Sequence, residues 1–125
     1  MTTITFPHGR RFVAGEPRVP VTVSGPAREI NVMAVVDTGA MTCVFPRALL
    51  ARCGYTLTPP SFRTMTAGGA ADFRAAAVHL HAFDVLWRYV PVLAGDNVPA
   101  LLGRNLLDAV SAIGYQGPLQ ALHWR

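Results

Sequence analysis

An all-β domain with two short helices is the fold class this sequence predicts, and three observations lead to it. Its 10 prolines and 11 glycines are spread between short apolar segments rather than pooled in one tract, the punctuation of many strands joined by turns. The run Glu29 to Val36 is nearly continuous in apolar character, as in a strand whose end is buried on both faces. Two further runs, Phe62 to Thr66 and Asp72 to Leu80, flank Gly68-Gly69, where glycine's tolerance of positive φ favours a hairpin. The 125 residues are expected to form one domain with room for a modest core, and they carry no internal repeat.

The elements follow in chain order. Met1 to Pro17 carry weak signals, with Ile4 to Phe6 expected as an edge or interface strand. Val19 to Val23 reads as a strand near an edge, because Pro20 has no N–H for a ladder. Ser24-Gly25-Pro26 makes the turn into Glu29 to Val36, and Thr42 to Phe45 is extended again. Pro46 to Arg52 reads as a short helix, with proline tolerated in its first turn and Gly54 supplying the left-handed residue that ends it. The hairpin runs come next, then a strand over Leu86 to Leu93, where Pro91 argues against a central position. Val98 to Leu102 is extended, Arg104 to Val110 is a second short helix, and Leu119 to Trp124 is a last strand after the Gln116-Gly117-Pro118 turn.

Composition excludes several function classes. The formal charge is +4, from 11 basic residues against 7 acidic ones. All the basic residues are arginines, scattered from Arg10 to Arg125, and only Arg10 and Arg11 adjoin. No basic helix or aromatic-interleaved patch results, so nucleic acid is not an expected partner. No apolar core of a signal peptide opens the chain and no apolar stretch reaches spanning length, so a cytoplasmic protein without membrane contact is expected. Cys43 and Cys53 are too few for a disulfide framework and lack metal or redox spacing. They read as buried thiols. His79 and His81 fall on one strand face, but no neighbouring carboxylate or cysteine completes a metal site, and none is expected.

The chemistry concentrates in one motif. Asp37-Thr38-Gly39-Ala40 closes the apolar run Ile30 to Val36, which puts a single acidic side chain on a tight turn leaving a buried strand. The Gly-Gly hairpin follows, and Leu101-Leu102-Gly103-Arg104-Asn105 lies beyond it. In this order and at these spacings the three segments resemble the retropepsin-like aspartic peptidases, over about Val19 to Leu122. The resemblance implies a closed-barrel, single-lobed fold and an aspartic endopeptidase activity without metal or other cofactor. The helix between the catalytic turn and the hairpin places the chain nearer the cellular or bacterial branch than the compact retroviral one.

Carried onto this chain, the resemblance makes Asp37 the catalytic residue. Thr38, Gly39 and Ala40 complete the active-site loop, with the Thr38 hydroxyl bonding across a two-fold axis. Ala67, Gly68 and Gly69 become the tip of a flap over the substrate. Leu102, Gly103, Arg104 and Asn105 pass behind the catalytic loop as its support, with Gly103 allowing a close crossing and Asn105 resembling the family's helix-start asparagine. No second D-T-G or D-S-G exists in the chain, since Asp72, Asp84, Asp96 and Asp108 are followed by other residues. The chemistry needs two carboxylates sharing a proton, so a homodimer that joins two copies of Asp37 is expected, acting on a peptide or protein. One departure stands out. Retroviral members commonly continue D-T-G-A with carboxylates that hold substrate backbone and pair with the arginine of the G-R-N segment, where this chain has Met41-Thr42. A retropepsin-like module kept for dimerisation or peptide binding, cleaving weakly or not at all, is the alternative.

Overall fold

A chain punctuated this way builds strands first, and the computed structural model, which describes residues 8–11, 16–66, 69–110, 113–116 and 121–124, shows them. The described elements run β1 (His8–Arg11), β2 (Arg18–Ser24), β3 (Glu29–Val36), β4 (Cys43–Pro46), α1 (Arg47–Cys53), β5 (Thr58–Thr66), β6 (Gly69–Ala82) and β7 (Val85–Gly95). They end with β8 (Leu101–Leu102), α2 (Arg104–Leu107), β9 (Ile113–Gln116) and β10 (Ala121–Trp124). The expected segment Ile4 to Phe6 lies outside the described residues.

The larger sheet has the order β2-β3-β8-β4-β7-β6-β5, and β2 also pairs with β6 through Thr22, Val23 and Ser24 opposite His81, Leu80 and His79. The strand order therefore returns on itself, leaving β5 outside the ring as the hairpin partner of β6. Alternation explains β2: Val19, Val21 and Val23 are buried while Arg18 and Pro20 face out. Pro20 lies before the stretch that meets β6, so its missing N–H falls where β2 has β3 alone as neighbour. β3 starts with alternation and ends with Ala34, Val35 and Val36 all buried. Both edges of this end are also occupied, by β2 on one side and the parallel β8 on the other, with Val35 opposite Leu101 and Val36 opposite Leu102. Ala34 and Val36 join Phe45, Leu50, Leu80, Leu102 and Leu106 in one core, where each fully buried apolar side chain contributes roughly 1.5–3 kcal/mol.

Several boundaries move from their sequence expectation. α1 spans Arg47–Cys53 with Pro46 as its cap, and Gly54 ends it at φ 97, donating its N–H to the Ala51 carbonyl. The second helix stops at Leu107, and the chain continues in turns in which Ala109 and Val110 donate to Leu106 and Leu107. Of Val98 to Leu102, only Leu101–Leu102 is strand. β7 corrects the reading of Pro91, because it lies inside the sheet between β4 and β6. The proline is tolerated because β4 pairs with β7 only from Val92 onward, so Pro91 sits just before the doubly paired stretch.

A smaller sheet of order β1-β10-β9 gathers the two ends of the described chain. β10 has both edges occupied, by β1 and by β9. It is tied to the rest by Trp124, whose ring meets Phe83 edge-on at 5.4 Å. Phe83 and Asp84 join β6 to β7 with φ of 53° and 63°, the left-handed pair of a tight hairpin turn that ordinarily selects Asn-Gly. Phe83 is buried there, so the contact with Trp124 offsets an unfavourable backbone.

The closure between β2 and β6 is bridged by Tyr55, whose hydroxyl donates to the Ser24 carbonyl and accepts the His79 N–H at 2.9 Å. Tyr55→Phe removes both bonds at a half-buried site, and we expect a loss of about 1–3 kcal/mol in urea unfolding. A change below about half a kcal/mol would show that the two strands hold each other without the bridge.

Candidate active site

Asp37 is the first residue beyond β3, and its position is set by bonds to β8 and to the residue just before it. Val35 donates to the Ala100 carbonyl at 2.9 Å and Asp37 to the Leu102 carbonyl at 3.0 Å. The turn then closes through Ala40 N–H to the Asp37 carbonyl at 3.2 Å. Within it the Gly39 N–H donates to Asp37 Oδ1 at 2.9 Å, so a backbone donor holds the carboxylate. A Cβ at position 39 would sit 3.2 Å from that same oxygen. Asp37 is half-buried, and Thr38 and Gly39 are exposed, so the turn presents the carboxylate while keeping it oriented.

Behind this loop the segment Leu102 to Asn105 forms a clamp. Leu102 is fully buried. Gly103 lies flat against the Thr42–Cys43 peptide, where a Cβ would meet the Thr42 carbonyl carbon at 2.5 Å, its oxygen at 2.6 Å and the Cys43 nitrogen at 2.9 Å. The start of α2 then donates back into the loop, Arg104 N–H to the Ala40 carbonyl at 2.8 Å and Asn105 N–H to the Met41 carbonyl at 3.1 Å. The Asn105 side chain completes the clamp: Oδ1 accepts the Cys43 N–H at 2.9 Å, and Nδ2 donates to the Pro91 carbonyl at 2.7 Å. Asn105 thus joins the loop to β7, while the helix cap itself is Gly103.

Arg104, without a carboxylate at position 41 or 42, pairs with Asp108 one helical turn on at 3.5 Å. Both side chains are more than half exposed, so this pair contributes little to stability. The i, i+4 spacing was visible in the sequence; the Pro91 carbonyl as a partner of Asn105 was not. Of the hairpin residues, Gly69 opens β6 opposite Thr66, and Ala67 and Gly68 lie outside the described residues.

The thiols are chemically quiet. Cys43 is buried beside the loop and accepts the Gly103 N–H at Sγ, 3.3 Å away. Burial pushes its pKa up, and that N–H acts in the opposite sense. Cys53 is buried against the Val23 carbonyl and is pushed up by burial as well. Because the folded chain holds both protons more tightly than the unfolded chain, their contribution to stability is fully present below the ordinary thiol pKa and is lost as pH rises past that value toward the raised folded one. We expect a thiol reagent such as DTNB to label neither cysteine in native protein and both after urea unfolding. Labelling of the native protein at the rate of a free thiol would contradict this burial.

His79 accepts the Tyr89 N–H at Nδ1 and packs edge-on to the Tyr89 ring at 4.5 Å. Among the described residues no three His, Cys, Asp or Glu side chains come together as a metal set, and no helix is long and apolar enough to cross a membrane.

The fold and loop define a single-lobed β unit that presents one aspartate on a D-T-G turn clamped from behind. A family model described as aspartyl protease matches residues 19–106, and the chain belongs to this family, the retropepsin-like aspartic peptidases. Among solved structures, the protease of EIAV, complexed with the inhibitor HBY-793, is similar with a TM-score of 0.63 and 20% identity, over 85% of this chain and 93% of that one. At that identity the likeness is one of fold. No curated protein matches the chain by sequence.

Proposed function

We propose that this protein is an aspartic endopeptidase whose active site is shared between two copies of the chain, each acting as a single domain over residues 1–125. The observation that carries this reading is Asp37, half-buried on an exposed turn with the Gly39 N–H at 2.9 Å from its carboxylate. Two such carboxylates facing each other share one proton. The ionised one takes a proton from water as the water oxygen attacks the peptide carbonyl carbon, and the protonated one donates to the carbonyl oxygen. Collapse of the tetrahedral species breaks the C–N bond, with a proton passed to the leaving nitrogen.

Thr38 is exposed beside Asp37, a position suited to a hydroxyl bond with the partner loop. Ala67, Gly68 and Gly69 serve as the tip of a flap, a role that calls for glycine-like freedom to open and reclose. The smaller sheet supports a dimer through the outer edges of β1 or β9, since β10 is paired on both sides by its own chain. A module that binds peptide without hydrolysing it is favoured by one feature, the lack of further carboxylates at Met41 and Thr42.

Dilution tests the shared site. Specific activity on a peptide library should fall as protein concentration drops through the dimer dissociation constant, with sedimentation following the same curve. A fully active monomer would exclude a site built from two chains, and a stable dimer that binds but never cleaves peptide would establish the non-hydrolytic reading.

A further inference from the structure

We infer that a cleft at the far end of β4 from the Asp37 loop is a carboxylate-binding site, in which Arg74 and Arg47 take one carboxylate of a small organic acid or of a peptide. The cleft holds about 220 Å³ and is lined by Arg47, Asp72, Arg74, Ala94, Gly95 and Asp96. β4 separates it from the candidate active site. Cys43, at one end of that strand, bonds to Asn105 behind the loop, and Pro46, at the other, leads into Arg47. The two ends lie roughly 10 Å apart at the rise of an extended strand.

Register puts Arg74 in an unusual place. Residues paired across a sheet share a face, and Val78 pairs with Val90, Ala76 with Val92 and Arg74 with Ala94. Val78, Val90, Val92 and Ala94 are buried, so Arg74 continues an apolar row to its end, where it is half-buried. A guanidinium keeps its charge at any ordinary pH, and such a charge is costly to hold partly out of water without a partner. The acids of the cleft are engaged elsewhere. Asp96 Oδ2 accepts from Arg47 Nη2 at 2.9 Å, and Asp72 has a partner of its own. Among the described residues no acid pairs with Arg74.

That balance selects the ligand. One carboxylate matches the one remaining positive charge, whereas a phosphate dianion would bring a second negative charge against Asp72 and Asp96. The Arg74 fork can meet both carboxylate oxygens, and Arg47 keeps further N–H donors beyond the one given to Asp96. The volume falls below the roughly 300 Å³ at which pockets for drug-sized ligands begin, which suits a small acid or a single side chain.

The test titrates the protein with acetate and, separately, with the blocked peptide acetyl-Ala-Glu-Ala-amide and its glutamine counterpart, at an ionic strength held constant with chloride. NMR follows the arginine side-chain and backbone amide signals, and calorimetry gives the affinity. Saturable shifts should appear at Arg74, Arg47, Gly95 and Asp96, and the glutamine peptide should give none. Arg74→Met should weaken binding by at least about tenfold without lowering the melting temperature, because it removes an unmatched charge. Arg88→Gln, at an exposed arginine on β7, should bind as wild type does. Binding of acetate alone supports a site for free acids, and binding of the glutamate peptide alone supports one for peptide carboxylates. Shifts that do not saturate, equal shifts with the glutamine peptide, tighter binding of phosphate than of acetate, or binding unchanged in Arg74→Met would each overturn the inference. So would a fall of more than about 5 °C in the Arg74→Met melting temperature, which would make Arg74 a structural part of the core. Cleavage is no part of these readouts, so the inference stands or falls separately from the peptidase reading.

Discussion

Asp37→Asn is expected to remove peptide hydrolysis, by at least about a thousandfold in kcat/KM, while leaving the fold intact. The amide keeps an oxygen for the Gly39 N–H, now at 2.9 Å from Oδ1, and it keeps the shape of the side chain. It cannot accept a proton from water. The main-chain bond from Asp37 to Leu102 at 3.0 Å does not involve the side chain, so β3 and β8 stay in register. We expect circular dichroism and melting temperature within a few degrees of wild type. Wild-type cleavage by a purified, folded Asp37→Asn protein would place the chemistry elsewhere and end the aspartic-peptidase reading.

Gly103→Ala should produce a large loss of stability from the addition of a single methyl group. Its new methyl group would stand 2.5 Å from the Thr42 carbonyl carbon and 2.9 Å from the Cys43 nitrogen. Both are backbone atoms, and the loop they belong to is anchored by Asn105 and Arg104. No side chain can rotate away to make room. Overpacking of this kind costs about 3 kcal/mol, or about 10 °C in melting temperature for a domain of this size.

Relief of the clash has to come from moving the loop that carries Asp37, so activity per folded molecule should fall as well, by about a hundredfold. Gly39→Ala is the contrasting variant. Its methyl group would meet the Asp37 carboxylate at 3.2 Å, and that side chain can shift by a few tenths of an ångström. We expect less than about 1 kcal/mol of destabilisation there, with a clear loss of turnover. Equal melting temperatures for the Gly103 and Gly39 variants would refute the clamp as the structural basis of the loop.

The interval between these two variants reflects what could be read from the chain alone. Local chemistry was readable: the apolar run to Val36 ends in a strand buried on both faces, and Pro46 and Gly54 bound the first helix. Each follows from properties of a few adjacent residues, namely side-chain size, the missing proline N–H and the φ range open to glycine. Pairings between distant segments were not readable in this way. Nothing local indicates that β2 closes onto β6, that Asn105 reaches the Pro91 carbonyl, or that Phe83 accepts a left-handed backbone against Trp124.

The Asp-Thr-Gly turn at the end of an apolar strand, and with it the family, was determined by the sequence itself. The tertiary structure alone decided that Met41 stays uncovered on a clamped loop and that β10 is enclosed by its own chain. The physical reason is that short-range sterics and hydrogen bonding act within a few residues, whereas the partner of an edge, a carbonyl or an exposed side chain depends on which surfaces remain once the rest of the core has packed.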